Sequence, residues 1–573
     1  MDTASFVLLH YRCTSQRRVF AVLMFKWNKI QRMSVKHFFT LIFLVAAFGA
    51  RAQRVAPADT VLKGSTIEVI QTYKPEVKRA PKPEWVPQLP ATDTTHPVLS
   101  LEVPQQTLYY TYSSQPLRPL ALGKDIPKPP VPSYVALGGG NLSTIYLDAG
   151  TSILTGENYE TGLHLHHLSQ AGGVLNQFTA LSGAEAEGMY HAAKSDWHAR
   201  LMAERNQYAY YGYDHTIYDY AADSVKQVYT SVRAIVDMAN KSDSGSRFFY
   251  HPSITASVYT AKMKTSEISA GLDLPFRYSI DTSLDAVATL SGNVTNFKSG
   301  SFNTFNNVAE LKPGIVLHHG PKSGHALLGL AIGGDGTGYL LPDILASYVL
   351  PDTRYVVTAG WQALLRQNTY EQLTTENPYM LADYYLRQTK NDEVFLGLAG
   401  PVGDHFIFSA RGSWWNFNTL PTFLNDTGDH KQFYVQYDNV KAFSIHVAVR
   451  YTQASIWSVG ATADYYAFYG GTEKYVWHEP NVRMKGDLTV NVTKKFVART
   501  YFSLLSGIHS RDSLGNTHTL KAIADLGVNA EYTIIPRLSV FAELDNIFNK
   551  KYERWAGYQS YGINIYGGLR MKF

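Results

Sequence analysis

Tyr561-Gly562-Ile563-Asn564-Ile565-Tyr566-Gly567-Gly568-Leu569-Arg570-Met571-Lys572-Phe573 closes the chain, and its alternation decides the fold. Taken two residues at a time from the end, one face reads Phe573, Met571, Leu569, Gly567, Ile565, Ile563 and Tyr561. The other reads Lys572, Arg570, Gly568, Tyr566, Asn564 and Gly562. Side chains on a strand point alternately to its two faces, so the stretch has one apolar and one wet face. It is long enough to cross a bilayer at the tilt that barrel strands adopt. As a soluble edge strand it would invite aggregation. In a closed barrel it has a neighbour on each side and lipid against its apolar face.

The same rule holds upstream. Ala522, Ala524, Leu526, Val528, Ala530 and Tyr532 oppose a wet face broken only by Ile523, and Leu538, Val540, Ala542 and Leu544 oppose one broken only by Phe541. Val482, Met484, Gly486, Leu488, Val490 and Val492 alternate with Arg483, Lys485, Asp487, Thr489 and Asn491. A soluble antiparallel sandwich shows a similar period. Charges inside one long strand after another favour a transmembrane barrel, all-β and antiparallel.

Strand candidates fill Ser133 to Phe573. Tyr134–Leu154, with a break near Gly140, and Tyr159–Gln170 come first, and the next is Asp196–Tyr211. Later ones include His405–Trp414, Gln432–Gln436 and Ala442–Thr452. The total expected is about 20 to 22 strands, close to 20 residues for each strand with its share of loop. Pro351–Thr353, Pro401–Asp404 and Ile535–Arg537 mark tight periplasmic turns. Gln367–Asn391 and Trp415–Lys431 read as longer outward loops.

Composition agrees. Charged residues make up 17% of the chain and aromatics 13%, with 39 Tyr, as two interfacial girdles require. The only Cys is Cys13, so the sequence offers neither a disulfide framework nor a thiolate metal site. No cofactor motif is present. Residues 33–52 read as a secretory signal, with Lys36 and His37, an apolar core from Phe38 to Ala50, and Ala50-Arg51-Ala52 before the cut. Residues 1–32 read as an upstream extension with Met33 as the initiator. Residues 1–52 carry eight Lys/Arg and one Asp, and their removal leaves 44 basic against 46 acidic residues. The basic excess goes with them, and with it the electrostatic motive for binding nucleic acid. Residues 53–132 hold 14 of the 25 prolines and read as an extended periplasmic arm.

Leu544-Asp545-Asn546-Ile547-Phe548-Asn549-Lys550-Lys551-Tyr552, then Trp555, Gly557-Tyr558 and the last strand, resemble the C-terminus of TonB-dependent outer-membrane receptors. Gly138-Gly139-Gly140-Asn141 and Asn377-Pro378-Tyr379 are similar to that family's pattern as well. The resemblance implies a 22-stranded barrel in the bacterial outer membrane that imports scarce solutes with energy from the inner membrane. It also implies recognition by the barrel-assembly machinery through the last strand, with Tyr561, Leu569, Met571 and Phe573 as the signal. Thr66-Ile67-Glu68-Val69-Ile70 resembles the short extended box that pairs with TonB by strand addition. Residues 53–132 are too short and proline-rich for the family's globular plug, and Ile563 stands where the family often has Arg.

Outer-membrane lipid and a periplasmic or surface partner are therefore the expected contacts. The alternative is a plugless barrel with a structural or assembly role, docking a partner through the arm. For chemistry, His164 and His166 project to the lumen about 7 Å apart by strand rise and could seat a metal or a haem-like ligand, with polar filling of the lumen the plainer reading. His318 and His319 sit at a strand end. Gly333–Gly338 lacks the helix and Lys-Ser/Thr of a phosphate loop and reads as a hairpin. No nucleophile elbow or paired-carboxylate motif marks an enzyme.

Overall fold

The computed structural model describes residues 133–573, apart from 242–245, 263, 301, 352, 383–384, 429, 454–455 and 513. The arm, the signal and the box-like Thr66–Ile70 lie outside the described residues. Strands account for nearly all of the regular structure. The first six are β1 (Tyr134–Gly140), β2 (Ile145–Thr155), β3 (Tyr159–Ala171), β4 (Phe178–His191), β5 (Ser195–Ala209) and β6 (Lys226–Asn240). Next come β7 (Ser253–Ala261), β8 (Thr265–Ser279), β9 (Leu284–Ser299), β10 (Val308–His319), β11 (Lys322–Ile332) and β12 (Gly338–Val349). They are followed by β13 (Val356–Gln367), β14 (Gln388–Val402), β15 (Phe406–Asn425), β16 (Phe433–Gln453) and β17 (Trp457–Tyr469). The ring ends with β18 (Val482–Asn491), β19 (Phe496–Ser506), β20 (Ile523–Ile535), β21 (Leu538–Asp545) and β22 (Asn564–Lys572).

Each strand pairs antiparallel with its sequence neighbours, and β1 pairs with β22 from Tyr134↔Lys572 to Gly140↔Tyr566. The result is a closed antiparallel barrel of 22 strands, which leaves no edge unpaired. Closure depends on glycine at the seam. A Cβ on Gly568 would lie 1.8 Å from Leu137 O, and one on Gly140 would lie 2.2 Å from Ile565 O.

The two faces separate as the alternation requires. Val232 and Val236 on β6, Ile254 and Val258 on β7, and Ile268 and Leu272 on β8 are exposed outward in a continuous apolar band. Ile565, Leu569, Met571 and Phe573 extend that band across the seam. Such a surface suits hydrocarbon and nothing else, since an Arg at its midplane would cost about 2–4 kcal/mol. The two residues that broke the wet faces, Ile523 and Phe541, are each 4% exposed. Phe541 packs in the lumen with Ala136, Tyr146 and Tyr566.

Several boundaries differ from the sequence reading. β4 and β19 fill gaps where no strand was expected, and Gln432–Gln436 with Ala442–Thr452 is one strand of 21 residues. Trp415–Asn425 continues β15 past an irregularity between Phe417 and Leu420, so only residues 426–432 are loop there. β22 begins at Asn564 rather than Tyr561. Asparagine side chains take the backbone groups of the preceding residues: Asn546 Nδ2 donates to Tyr561 O and Ile563 N donates to Asn549 Oδ1. Gly333–Thr337 forms the hairpin turn between β11 and β12.

Candidate functional site

The lumen wall is tied by polar side-chain pairs. His164 and Asp148 meet at 2.7 Å between β3 and β2, His198 and Asp237 at 3.0 Å between β5 and β6, and His325 and Asp343 at 2.9 Å between β11 and β12. His446 and Asp464 meet at 2.6 Å between β16 and β17. Near the seam Arg570 reaches Glu531 at 2.7 Å, and Tyr134 OH donates to the Asp148 carboxylate. The histidine pairs and Tyr134–Asp148 link neighbouring strands from the inside, and Arg570–Glu531 spans β21 from β22 to β20.

His164 and His166 do face the lumen, their ring centroids 5.7 Å apart. His164 is engaged by Asp148. Among the described residues no three His, Cys, Asp or Glu side chains converge as a metal site. His318 lies 3.8 Å from Asp285 at the end of β10. Of the C-terminal signal residues, Leu569, Met571 and Phe573 sit on the exposed outer face. Tyr561 lies apart from them, its hydroxyl donating to Thr179 Oγ1.

What the alternation could not show is how the outward loops fold. The loop 368–387 between β13 and β14 carries a short helix, α1 (Tyr370–Glu376), opened by a capping box of Thr369 and Gln372. Its first amides, Tyr370 N and Glu371 N, donate to the carboxylate of Glu267, which β8 holds 2% exposed. Tyr370 packs on Phe297 and Tyr259 at centroid distances of 5.0 and 5.7 Å. The helix is thus seated against β8 and β9, several strands away from those that bear its loop.

Beyond the helix, Asn377-Pro378-Tyr379 delivers Tyr379 onto Tyr558 of the β21–β22 loop, stacked at 3.5 Å. Tyr211 of the β5–β6 loop meets both, at 6.1 Å and 5.0 Å. Tyr211 OH donates to Gln559 O and Tyr229 OH donates to Pro378 O. Leu381 N donates to Phe433 O and Phe433 N donates to Tyr379 O, which ties the loop to the start of β16. Around the 22-strand ring these three loops stand eight, eight and six strands apart. Segments that leave the wall at thirds of its circumference and touch must meet near the axis. The outer mouth is therefore spanned by an aromatic hub built from the chain itself.

Gly557, at φ +86°, lets the chain turn under the hub, and a Cβ there would meet Gly212 O at 2.5 Å. Trp555 fills the adjoining space against Phe423, Phe433 and His478 at 5.1–5.6 Å. His478 is 1% exposed. Its Nδ1–H donates to Phe423 O while Nε2 accepts from Ala556 N, a neutral tautomer fixed at both ends. Burial pushes its pKa down to about 3. Arg554 beside it donates to His478 O, and its burial lowers the guanidinium pKa to about 10.

The chain is a 22-strand ring with a polar lumen, an apolar exterior and its longest loops at one end. The FrpB iron transporter of Neisseria meningitidis superposes with a TM-score of 0.60 at 10% identity, over 77% of this chain and 81% of that one. This is the barrel fold of the TonB-dependent outer-membrane receptors. The ferripyoverdine receptor of the Pseudomonas aeruginosa outer membrane matches at 0.58 and 12% identity, over 78% of this chain and 72% of that one. A copper transporter, OprC, matches at 0.55 and 12%, over 77% and 80%. No family model matches the sequence. No curated protein matches it either. The similar structures are receptors and transporters, and what this chain shares with them is the fold.

Proposed function

We propose that the chain is a TonB-dependent-receptor-like barrel that takes up a solute across the outer membrane, alone or within an import complex. The observation that carries this reading is the closed ring whose outer mouth is spanned by loops meeting at Tyr379 and Tyr558. A charged, hydrated lumen beneath a removable cover is what selective passage needs. A permanently open ring would leak, and a packed one would carry nothing. Four ring contacts at the hub, Tyr379–Tyr558, Tyr211–Tyr558, Tyr211–Tyr379 and Phe433–Tyr558, contribute roughly 2–6 kcal/mol at 0.5–1.5 kcal/mol each. A bound solute of micromolar affinity has enough free energy to part them.

In this proposal residues 33–52 are removed, residues 53–132 stand where the family keeps its plug, and Thr66–Ile70 pairs with TonB. Growth on limiting nutrients, with and without TonB, tests it. Loss of uptake on deleting either TonB or this chain supports energised import. Uptake that needs this chain and ignores TonB assigns the barrel a structural or assembly role instead.

A further inference from the structure

On the outside of the barrel, β6 to β9 change character in register from the apolar band to the outer rim. Val232, Val258 and Ile268 are paired positions on β6, β7 and β8, all exposed outward. One tier nearer the rim the row becomes Thr230, Thr260 and Ser266, with Lys298 of β9 paired to Ser266. Beyond that row Lys262 and Lys264 flank the β7–β8 turn, and Lys226 opens β6. Even-numbered side chains of these four strands point outward, as the exposure of Val232, Ile254, Ile268 and Val294 shows, and all four lysines share that phase. Lys262, Lys264 and Lys298 are exposed and Lys226 is half-buried. One strand spacing and at most two residues of rise separate successive lysines, which puts their backbones about 5–8 Å apart.

The charge on this face has a single sign. No outward position of the four strands is Asp or Glu, and the carboxylates they bear, Asp237, Glu267, Asp273 and Asp285, all stand on the lumen phase. Lys262 donates to the backbone oxygen of Asp223, and none of the four lysines is paired with a carboxylate among the described residues. Like charges set side by side on a sheet repel, and an anion between them would offset that. At the opposite end of the same outward faces stand Met238, Phe276 and Tyr278, with no cation. Hydration of a rim is served as well by Glu as by Lys, so a one-signed tier at one end only asks for a ligand.

We infer that this face is a docking surface for the phosphorylated headgroup of an outer-leaflet lipid. A phosphate group offers charged oxygens that accept hydrogen bonds, and the hydroxyl row with the four ammonium groups offers donors and positive charge. The tails of the same molecule have their own place. Val232, Val258 and Ile268 lie one tier below the hydroxyls, about 7 Å along the strands. Headgroup and hydrocarbon are thus met by one contiguous surface, whereas free phosphate would use only its upper part. Lysines just beyond a hydrocarbon band draw anionic lipid in this way. The inference needs the barrel and its apolar exterior, and it stands whether or not the chain imports a solute.

The test is native mass spectrometry of the purified full-length chain in neutral detergent, titrated with bisphosphorylated lipid A, with its phosphate-free form, and with inorganic phosphate as competitor. Retention of the phosphorylated lipid, weak retention of the phosphate-free form, and no displacement by an equal concentration of inorganic phosphate are expected. A Lys226→Gln/Lys262→Gln/Lys264→Gln/Lys298→Gln variant should bind the phosphorylated lipid at least ~10-fold more weakly. Lys322→Gln/Lys494→Gln/Lys495→Gln/Lys572→Gln removes the same charge from exposed positions at the periplasmic end and should leave binding as it was. Equal retention of the two lipids, displacement by inorganic phosphate, an unchanged rim variant, or equal loss in both variants would overturn the inference. If the rim variant fails to fold, Lys264→Gln/Lys298→Gln takes its place, with a loss of roughly threefold expected and unchanged binding overturning the inference.

Discussion

Replacing Tyr558 by Ala should unlatch the outer mouth. Tyr558 is 4% exposed and touches three rings, Tyr379, Tyr211 and Phe433, while its hydroxyl donates to Lys431 O. Three aromatic pairs at about 0.5–1.5 kcal/mol each amount to about 1.5–4.5 kcal/mol. The closed arrangement loses that much relative to the open one, and every 1.4 kcal/mol is about tenfold in population. Hydrogen exchange reads the opening directly. The amides of Leu381 and Phe433 are bonded only while the loop 368–387 sits on the start of β16, so their protection should fall at least tenfold in Tyr558→Ala. Amides in mid-barrel, such as those pairing β5 with β6, should keep theirs. As a control, Leu514→Ala removes an outward side chain that is 84% exposed and should change nothing. Unchanged protection of Leu381 and Phe433 in a folded Tyr558→Ala barrel would refute the idea that the rings hold the mouth shut.

Acid should loosen the same region. His478 is neutral when buried, its pKa lowered from an ordinary 6.5 to about 3, so opening takes up a proton. The stabilisation is complete above pH 6.5 and declines as pH falls toward 3, by roughly 2 kcal/mol at pH 5. Exchange at Leu381 and Phe433, corrected for its intrinsic pH dependence, should show that decline, and His478→Phe should flatten it. At the seam, Gly568→Val places a Cβ where Leu137 O stands and should abolish the heat-modifiable folded band on gels. Gly412→Ala meets nothing within 4 Å and should leave the band intact. On the outer face Val232→Arg should destabilise the barrel in vesicles by about 2–4 kcal/mol in urea titrations, with an Arg outside the apolar band costing far less.

The barrel was legible because alternation is a local signal repeated in strand after strand. Even its exceptions had a cause, as Phe541 breaks the wet face to pack with Tyr146 and Tyr566 in the lumen. β4 escaped notice because its outer positions opposite Leu165 and Leu163 are Ala184 and Ala186, too small to declare an apolar face. β19 escaped because Thr500 interrupts its outer face while Tyr501 points inward to Asp545. β15 and β16 were cut short where Thr419 takes a positive φ and the register shifts. The hub was a different matter. Tyr211, Tyr379 and Tyr558 are far apart in the chain, and only ring closure brings them together, which no local period records. Two of the three did lie in segments singled out for family resemblance, Asn377-Pro378-Tyr379 and Gly557-Tyr558.

The most direct measurement is a cross-link in intact cells. With Cys13 replaced by Ser, cysteines at 379 and 558 would be treated with a short, membrane-impermeant bis-thiol reagent, and a pair at Arg511 and Thr517, partners within the outward β19–β20 loop, would serve as reference. The account predicts that both pairs are bridged and that bridging 379 to 558 halts uptake until the linker is cleaved. Bridging of the reference pair with none between 379 and 558 would contradict it.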